Sequence, residues 1–279
     1  MVAAFSLASL AEAQRPGRAA PAPASAAPAE RLVLTLSEGS DGVPEGTDVM
    51  SRYDELAALI GRAMNRRVVF YAVRDAGALE SGLRDGRLDI VIARLAEHAA
   101  RGVRDYKYQL VAVARGEGFV MGIVPADSPL RSIEDVRGKR IAVPPENDYT
   151  SRMALALLRD IGVKAREETS VSFHRDQAVI GHALGHNLVD VGFVSSSSAI
   201  GRAWQKQGGR VLVRGPKQPT MPVVVGPKVT ALELQQLRNA LVGLDRTAEG
   251  RVLLSRLGVA GFEERDPADL AKLLKWLDQ

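Results

Sequence analysis

The chain has 279 residues, of which 46% are hydrophobic and 25% charged, with a formal net charge of +4 and no cysteine. Such a chain is long enough for two lobes of ordinary domain size, and its composition is that of a globular protein, not a disordered or fibrous one. Disulfides and thiolate chemistry are excluded, 5% aromatic content without a basic stripe argues against nucleic-acid binding, and no stretch reaches the roughly 18 apolar residues of a membrane span.

Val2–Leu10 is a short apolar run followed by Ala11-Glu12-Ala13, a small-x-small cleavage pattern, so residues 1–13 read as a secretory signal peptide. No Lys or Arg precedes the run. Residues 14–30 are rich in Pro and Ala and are expected to form a disordered spacer. From Arg31 onward short apolar runs alternate with amphipathic helices. Leu32–Leu36 reads as a strand ending in a turn-forming cluster that includes Glu38, Gly39 and Ser40. Tyr53, Leu56, Ala57, Ile60 and Met64 recur at helical spacing. Arg67–Val73 is the next strand, Asp75–Leu83 a helix, and Leu88–Ala93 a third strand apolar enough to be buried on both faces. Strand, helix, strand, helix, strand in this order implies right-handed crossovers and a mostly parallel sheet.

Strands are next expected at Gln109–Ala114, Phe119–Val124 and Lys139–Val143, with capping-box spacing at Ser132 and Asp135. A helix carrying Ala154, Leu157, Leu158 and Ile161 follows, and the alternation continues through Glu168–Val171, Asp176–Leu184, Val189–Val194, Ser196–Gln205 and Arg210–Val213. Met221–Val225 reads as a last strand, after which Thr230 with Glu233, and Asp266 before Pro267, mark helix starts. The expected architecture is therefore α/β with two lobes: residues 31–116 plus 221–279 in one and 117–220 in the other. Gly and Pro concentrate near Ala114–Gly118 and Arg214–Thr220, where the chain is expected to cross between lobes. Ligands of open α/β sheets bind beyond the carboxyl ends of the strands, so facing strand ends should line a cleft.

Ser128–Val163 (SPLRSIEDVRGKRIAVPPENDYTSRMALALLRDIGV) and His174–Val194 (HRDQAVIGHALGHNLVDVGFV) carry a pattern. They resemble the phosphate/phosphonate-binding branch of the periplasmic type 2 solute-binding proteins. That family reads Asp-Ser-Pro, a short helix, Leu-Arg-Gly-Lys, an apolar strand, then Ser-Thr-Ser-Gly opening a helix, and later Ser-His and Gly-x-Val-Asp-Ala-Gly. The resemblance implies an anion held at the turn Tyr149-Thr150-Ser151, where a helix start offers N–H donors and the positive dipole end. Arg152 stands where the family has Gly, in a position either to crowd the anion or to pair with it. Arg94 follows the third strand and is suited to a bidentate contact with an oxyanion, against the plainer alternative of an ion pair with Glu97.

Ser40, Arg94, Tyr149, Thr150, Ser151, His174 and Ser195 are thus the candidate ligand-binding residues. For Thr150, Ser151 and His174 the plain alternative is helix capping, for the Ser195–Ser198 cluster it is capping or solvation, for Tyr149 it is a cover over the hinge, and beside Ser40 the alternative is Glu38 recognising an amine. His182 and His186 have metal-ligand spacing, but at the end of their helix and without a following Glu they read as surface residues. No nucleophile elbow, P-loop or dinucleotide-binding glycine pattern is present. Neither catalysis, nor a cofactor, nor a metal is therefore expected. By the resemblance, the chain is an exported, monomeric receptor that takes a small anionic ligand to the inner-membrane permease of an ATP-binding-cassette importer. A ligand sensor acting in trans on a membrane signalling protein is the alternative.

Overall fold

The computed structural model describes residues 31–37, 48–73 and 75–279. The first lobe opens with β1 (Leu32–Ser37), α1 (Asp48–Met64), β2 (Val68–Val73), α2 (Ala76–Arg84), β3 (Ile90–Ala93), α3 (Ala96–Asp105) and β4 (Gln109–Gly118). The second lobe comprises β5 (Val120–Val124), β6 (Arg140–Val143), α4 (Tyr149–Asp160), α5 (Ala165–Glu168), β7 (Ser170–Phe173), α6 (Gln177–Gly185), β8 (Val191–Ser195), α7 (Ala199–Ala203) and β9 (Arg210–Arg214). The chain then returns through β10 (Gln218–Val225), α8 (Ala231–Val242), α9 (Ala248–Leu257), β11 (Phe262–Glu263) and α10 (Pro267–Leu277).

Sheet order explains how one chain makes two similar lobes. The first sheet runs β11-β4-β10-β3-β1-β2 and the second β7-β6-β8-β5-β9. With β11 set aside, the two orders match strand for strand. Three parallel strands are followed by one antiparallel strand, β10 against β3 and β5 against β8. In each lobe that antiparallel strand enters directly from the other lobe. The crossings therefore lie between β4 and β5 and between β9 and β10. They are bonded to one another, since Gln218 pairs with Gly118 and Pro219 with Glu117.

Apolar side chains fill both faces of each sheet. In the first lobe Leu34, Leu56, Ile60 and Leu237 lie in one cluster and Leu79, Leu83, Val91 and Tyr108 in another. In the second, Val143, Met153, Leu158 and Phe193 oppose Ile123, Ile180, Leu184 and Trp204. The last helix serves both lobes: Leu270 and Leu274 of α10 pack in the first, while Leu273 and Leu277 pack among the core residues of the second. It is not confined to the first lobe as its sequence position implied. At roughly 1.5–3 kcal/mol per buried Leu, this shared helix is a substantial link between the lobes.

Caps account for most helix starts. Asp75, Asp148, Asp176, Ser198, Thr230, Thr247 and Asp266 each accept from a backbone N–H of the first turn. The differences from the sequence reading are local. Helix α3 was not anticipated, β4 runs on to Gly118, and β10 begins at Gln218. The segment expected as a strand at Glu168–Val171 is instead the end of α5 followed by β7.

Close approach fixes one glycine. A Cβ on Gly192 of β8 would lie 2.4 Å from Ile180 Cγ2 and 3.0 Å from Leu184 Cδ1, both of which belong to α6. Gly192→Ala is therefore expected to lower unfolding stability by about 1–3 kcal/mol in a urea titration through overpacking. An unchanged midpoint would show that α6 is not seated on β8 as described.

Candidate functional site

Strand ends from both lobes converge at the crossings. One small cleft is lined by Arg94 and Leu95 after β3, by Tyr149, Thr150 and Met153 of α4, and by Ser195 and Ser197 after β8. Gly118, Phe119, Gln218, Pro219 and Thr220 of the crossing segments complete it. Four of the seven candidate residues, Arg94, Tyr149, Thr150 and Ser195, thus meet in a single space. None of the lining residues is acidic.

The polar groups are arranged as donors. The Thr150 side chain is 2% exposed, and its Oγ1 accepts from Gln177 Nε2 at 3.5 Å, leaving the hydroxyl proton free to donate. Gln177 also accepts at Oε1 from the Ser195 N–H at 2.7 Å, so a single amide joins the start of α4 to the end of β8. Ser195 Oγ accepts from the Ser197 N–H at 3.2 Å and shares a hydrogen bond of 2.7 Å with Ser197 Oγ. The Tyr149 hydroxyl is buried and has no hydrogen-bond partner among the described residues. Burial pushes its pKa upward, so it stays protonated. Arg94 is partly buried and forms no hydrogen bond or ion pair with any described residue; Glu97, its expected alternative partner, pairs with Arg101 and Arg152.

Ser151 and His174 lie elsewhere. Ser151 is fully buried and donates its hydroxyl to the Pro144 carbonyl at 2.9 Å. His174 does not open a helix. Asp176 caps α6, and His174 Nε2 bonds to Ser172 Oγ at 2.9 Å, outside the cleft lining. Ser40 lies outside the described residues. The positive end of α4 is also less open than expected, because Asp148 Oδ1 accepts from the Thr150 N–H at 2.8 Å. Arg152 pairs with Glu97 of α3 and, at 2.9 Å, with Asp278. Arg101 and Arg104 also pair with Asp278, so one ion cluster fastens α3, α4 and the end of α10 together. Gln177, Ser197, Gln218 and Thr220 were missed by sequence reasoning. The only available signal among them was Gln177, the first helical residue after a capping Asp.

His182 and His186 stack at 4.0 Å between ring centroids, and His186 Nδ1 lies 2.9 Å from the His182 carbonyl. Among the described residues no group of three or more potential ligands gathers to hold a metal, and no helix is long and apolar enough to cross a membrane.

The family model for the periplasmic substrate-binding protein of ABC phosphonate transporters matches residues 44–270. The chain belongs to that family. Its members are solute-binding proteins, not enzymes, with a small ligand and a membrane permease as partners. The sensor alternative gains no support from this membership. A comparison with curated proteins found no match. Among solved structures, XAC2383 from Xanthomonas citri bound to ATP superposes with a TM-score of 0.72 at 19% identity, over 89% of this chain and 97% of that one. PhnD1 from Prochlorococcus marinus in complex with methylphosphonate gives 0.67 at 12% identity, over 88% and 96%. A binding-protein component of an ABC phosphonate transporter from Pseudomonas aeruginosa gives 0.66 at 16%, over 88% and 86%. At these identities the likeness carries the fold, which is that of the two-lobe type 2 periplasmic binding proteins.

Two side chains yield direct tests. Tyr149→Phe removes a buried hydroxyl that has no partner, so stability should hold or rise by up to about 1 kcal/mol, whereas a change to an apolar ring should cost roughly tenfold in anion affinity. A stability loss above 1 kcal/mol would mean that the hydroxyl already has a partner. His98 of α3 is mostly buried, with Glu80, Arg101 and Asp148 facing it, and burial holds its pKa below the ordinary 6.5. Its contribution to stability is therefore present above pH 6.5 and lost as pH falls. In denaturation across pH 5–8, His98→Leu should flatten that decline; parallel profiles for the two proteins would contradict the assignment.

Proposed function

We propose that the protein captures a phosphorus oxyanion, an organophosphonate or a phosphate ester, in the cleft between the lobes and carries it to an importer permease. The observation that supports this reading most directly is the chemistry of the lining. It combines an arginine and a tyrosine hydroxyl that have no partner among the described residues, four further hydroxyls and the Gln218 amide, with no carboxylate. A tetrahedral oxyanion offers three acceptor oxygens, and a pocket that has a cation and hydroxyl donors but no carboxylate disfavours cations and zwitterions presented amine-first. Family membership favours the same ligand class, as do the methylphosphonate and ATP in two proteins of the same fold.

Each hydrogen bond to a charged group contributes roughly 1.5–3 kcal/mol, so four of them would support about micromolar binding after ordering costs. Arg94 belongs to one lobe while Thr150 and Ser195 belong to the other. An anion that bridges them favours the closed arrangement by its differential contacts, and closure is what a permease reads. Export through cleavage after Ala13, a spacer over residues 14–30 and a monomeric state belong to the same proposal.

Isothermal titration of the protein with methylphosphonate and with phosphate tests this. Binding is expected with at least one of them, and Arg94→Ala should weaken it about 10- to 100-fold. Failure of every phosphorus oxyanion to bind, or an Arg94→Ala affinity equal to that of the parent, would overturn the reading.

A further inference from the structure

Past Arg94 the cleft opens into a second, wider space that shares Arg94, Ser197 and Thr220 with the inner pocket. A phosphonate group needs the room of only a few water molecules, at about 30 Å³ each. The inner pocket is small and takes no more than such a head group, so only the outer space is available to the rest of a larger ligand.

The outer walls have a definite chemistry. Besides Arg94 they carry Arg115 from β4 and Arg202 from α7, one from each lobe. Glu117 is the one acidic lining residue, and it is already engaged by Lys217 at 2.9 Å and Arg265 at 3.9 Å. Arg202 donates to the Ser197 carbonyl and forms no ion pair with a described residue. Arg115 pairs with Asp245 at 2.5 Å, and its guanidinium lies against Gly261, where a Cβ would come within 3.0 Å of Cζ. The Arg115 N–H also donates to the Gly261 carbonyl at 2.8 Å, so this arginine is held in place. Met221, Leu257 and Val259 supply an apolar stretch of the same wall.

We infer that the physiological ligand is an extended dianion: a phosphonate or phosphate ester whose substituent runs past Arg94 and ends in a second acidic group held by Arg202, with Arg115, already paired with Asp245, forming the opposite wall. The apolar wall accommodates the linking segment. This rests on the inner pocket being the anion site, as proposed above, and adds a second subsite that selects for length and terminal charge.

The test is calorimetric titration of the full chain with methylphosphonate, butylphosphonate, 3-phosphonopropionate and 6-phosphonohexanoate. At least one of the phosphonocarboxylates is expected to bind about tenfold or more tightly than butylphosphonate. In Arg202→Gln, which retains a side-chain donor for the Ser197 carbonyl but loses the charge, that ratio should fall below about threefold. Equal affinities for the acids and the alkylphosphonate, or an unchanged ratio in Arg202→Gln, would overturn the second subsite while binding of methylphosphonate leaves the inner site standing. If no phosphonate binds at all, the inner-site reading falls and the second subsite with it.

Discussion

The amide of Gln177 joins two elements that would otherwise approach the cleft independently. Its Nε2 donates to Thr150 at the start of α4 and its Oε1 accepts from the backbone of Ser195 at the end of β8. Both ends of this bridge are buried, so leaving either unmade would carry the cost of an unsatisfied polar group. The bridge meets the Thr150 hydroxyl at one end and holds the Ser195 backbone at the other. Thr150 is left with a proton to give, and Ser195 is turned toward Ser197 and the cleft. A pocket of fixed donors loses little entropy on binding, which is why so small a set of side chains suffices.

The lobes that carry these donors are built alike down to their carboxylates. Asp89 precedes β3 and accepts from Val33 N–H of β1 at 2.9 Å; Asp190 precedes β8 and accepts from Arg140 N–H of β6 at 2.8 Å. Each thus pins the central strand to its neighbour at the amino end of the sheet and leaves the carboxyl end free for ligand. Both are structural, and catalysis has no place for them. At the crossings the chain is irregular: β10 is bulged between Pro219 and Val224, and Met221 sits at φ +42°, unusual for a side chain of its size. Such backbone in a segment lining the cleft is where a small rotation of the lobes is most readily absorbed.

Much of this was legible in the sequence because it depends on local chemistry. The run Ile90–Ala93 could only be a doubly covered strand, and Asp266-Pro267 could only open a helix. Helix α3 was hidden because its buried face is Ala96, Ala99, Ala100 and Gly102, small residues without a strong apolar period, and because Leu95 offers no side-chain cap. With α3 unseen, the partner of Arg152 was unseen too, and its substitution for the family glycine looked like a change to the ligand site. It is in fact half of a bridge between lobes. Hydroxyl direction is likewise absent from sequence. Thr150 and Ser151 are adjacent and chemically alike, yet helical geometry turns one toward the cleft and the other back onto Pro144. Arg94 was identifiable from its place after a parallel strand, the position where ligands of such sheets are met.

The most direct measurement is a crystal structure of the protein grown with methylphosphonate, with the phosphorus located in difference density. The expected position is within hydrogen-bonding reach of the Tyr149 hydroxyl, Thr150 Oγ1 and the Arg94 guanidinium, with Ser195 or Ser197 as a further donor. A phosphonate found away from the start of α4, with Arg94 turned to solvent and the Tyr149 hydroxyl still unpartnered, would contradict the assignment of this cleft as the anion site.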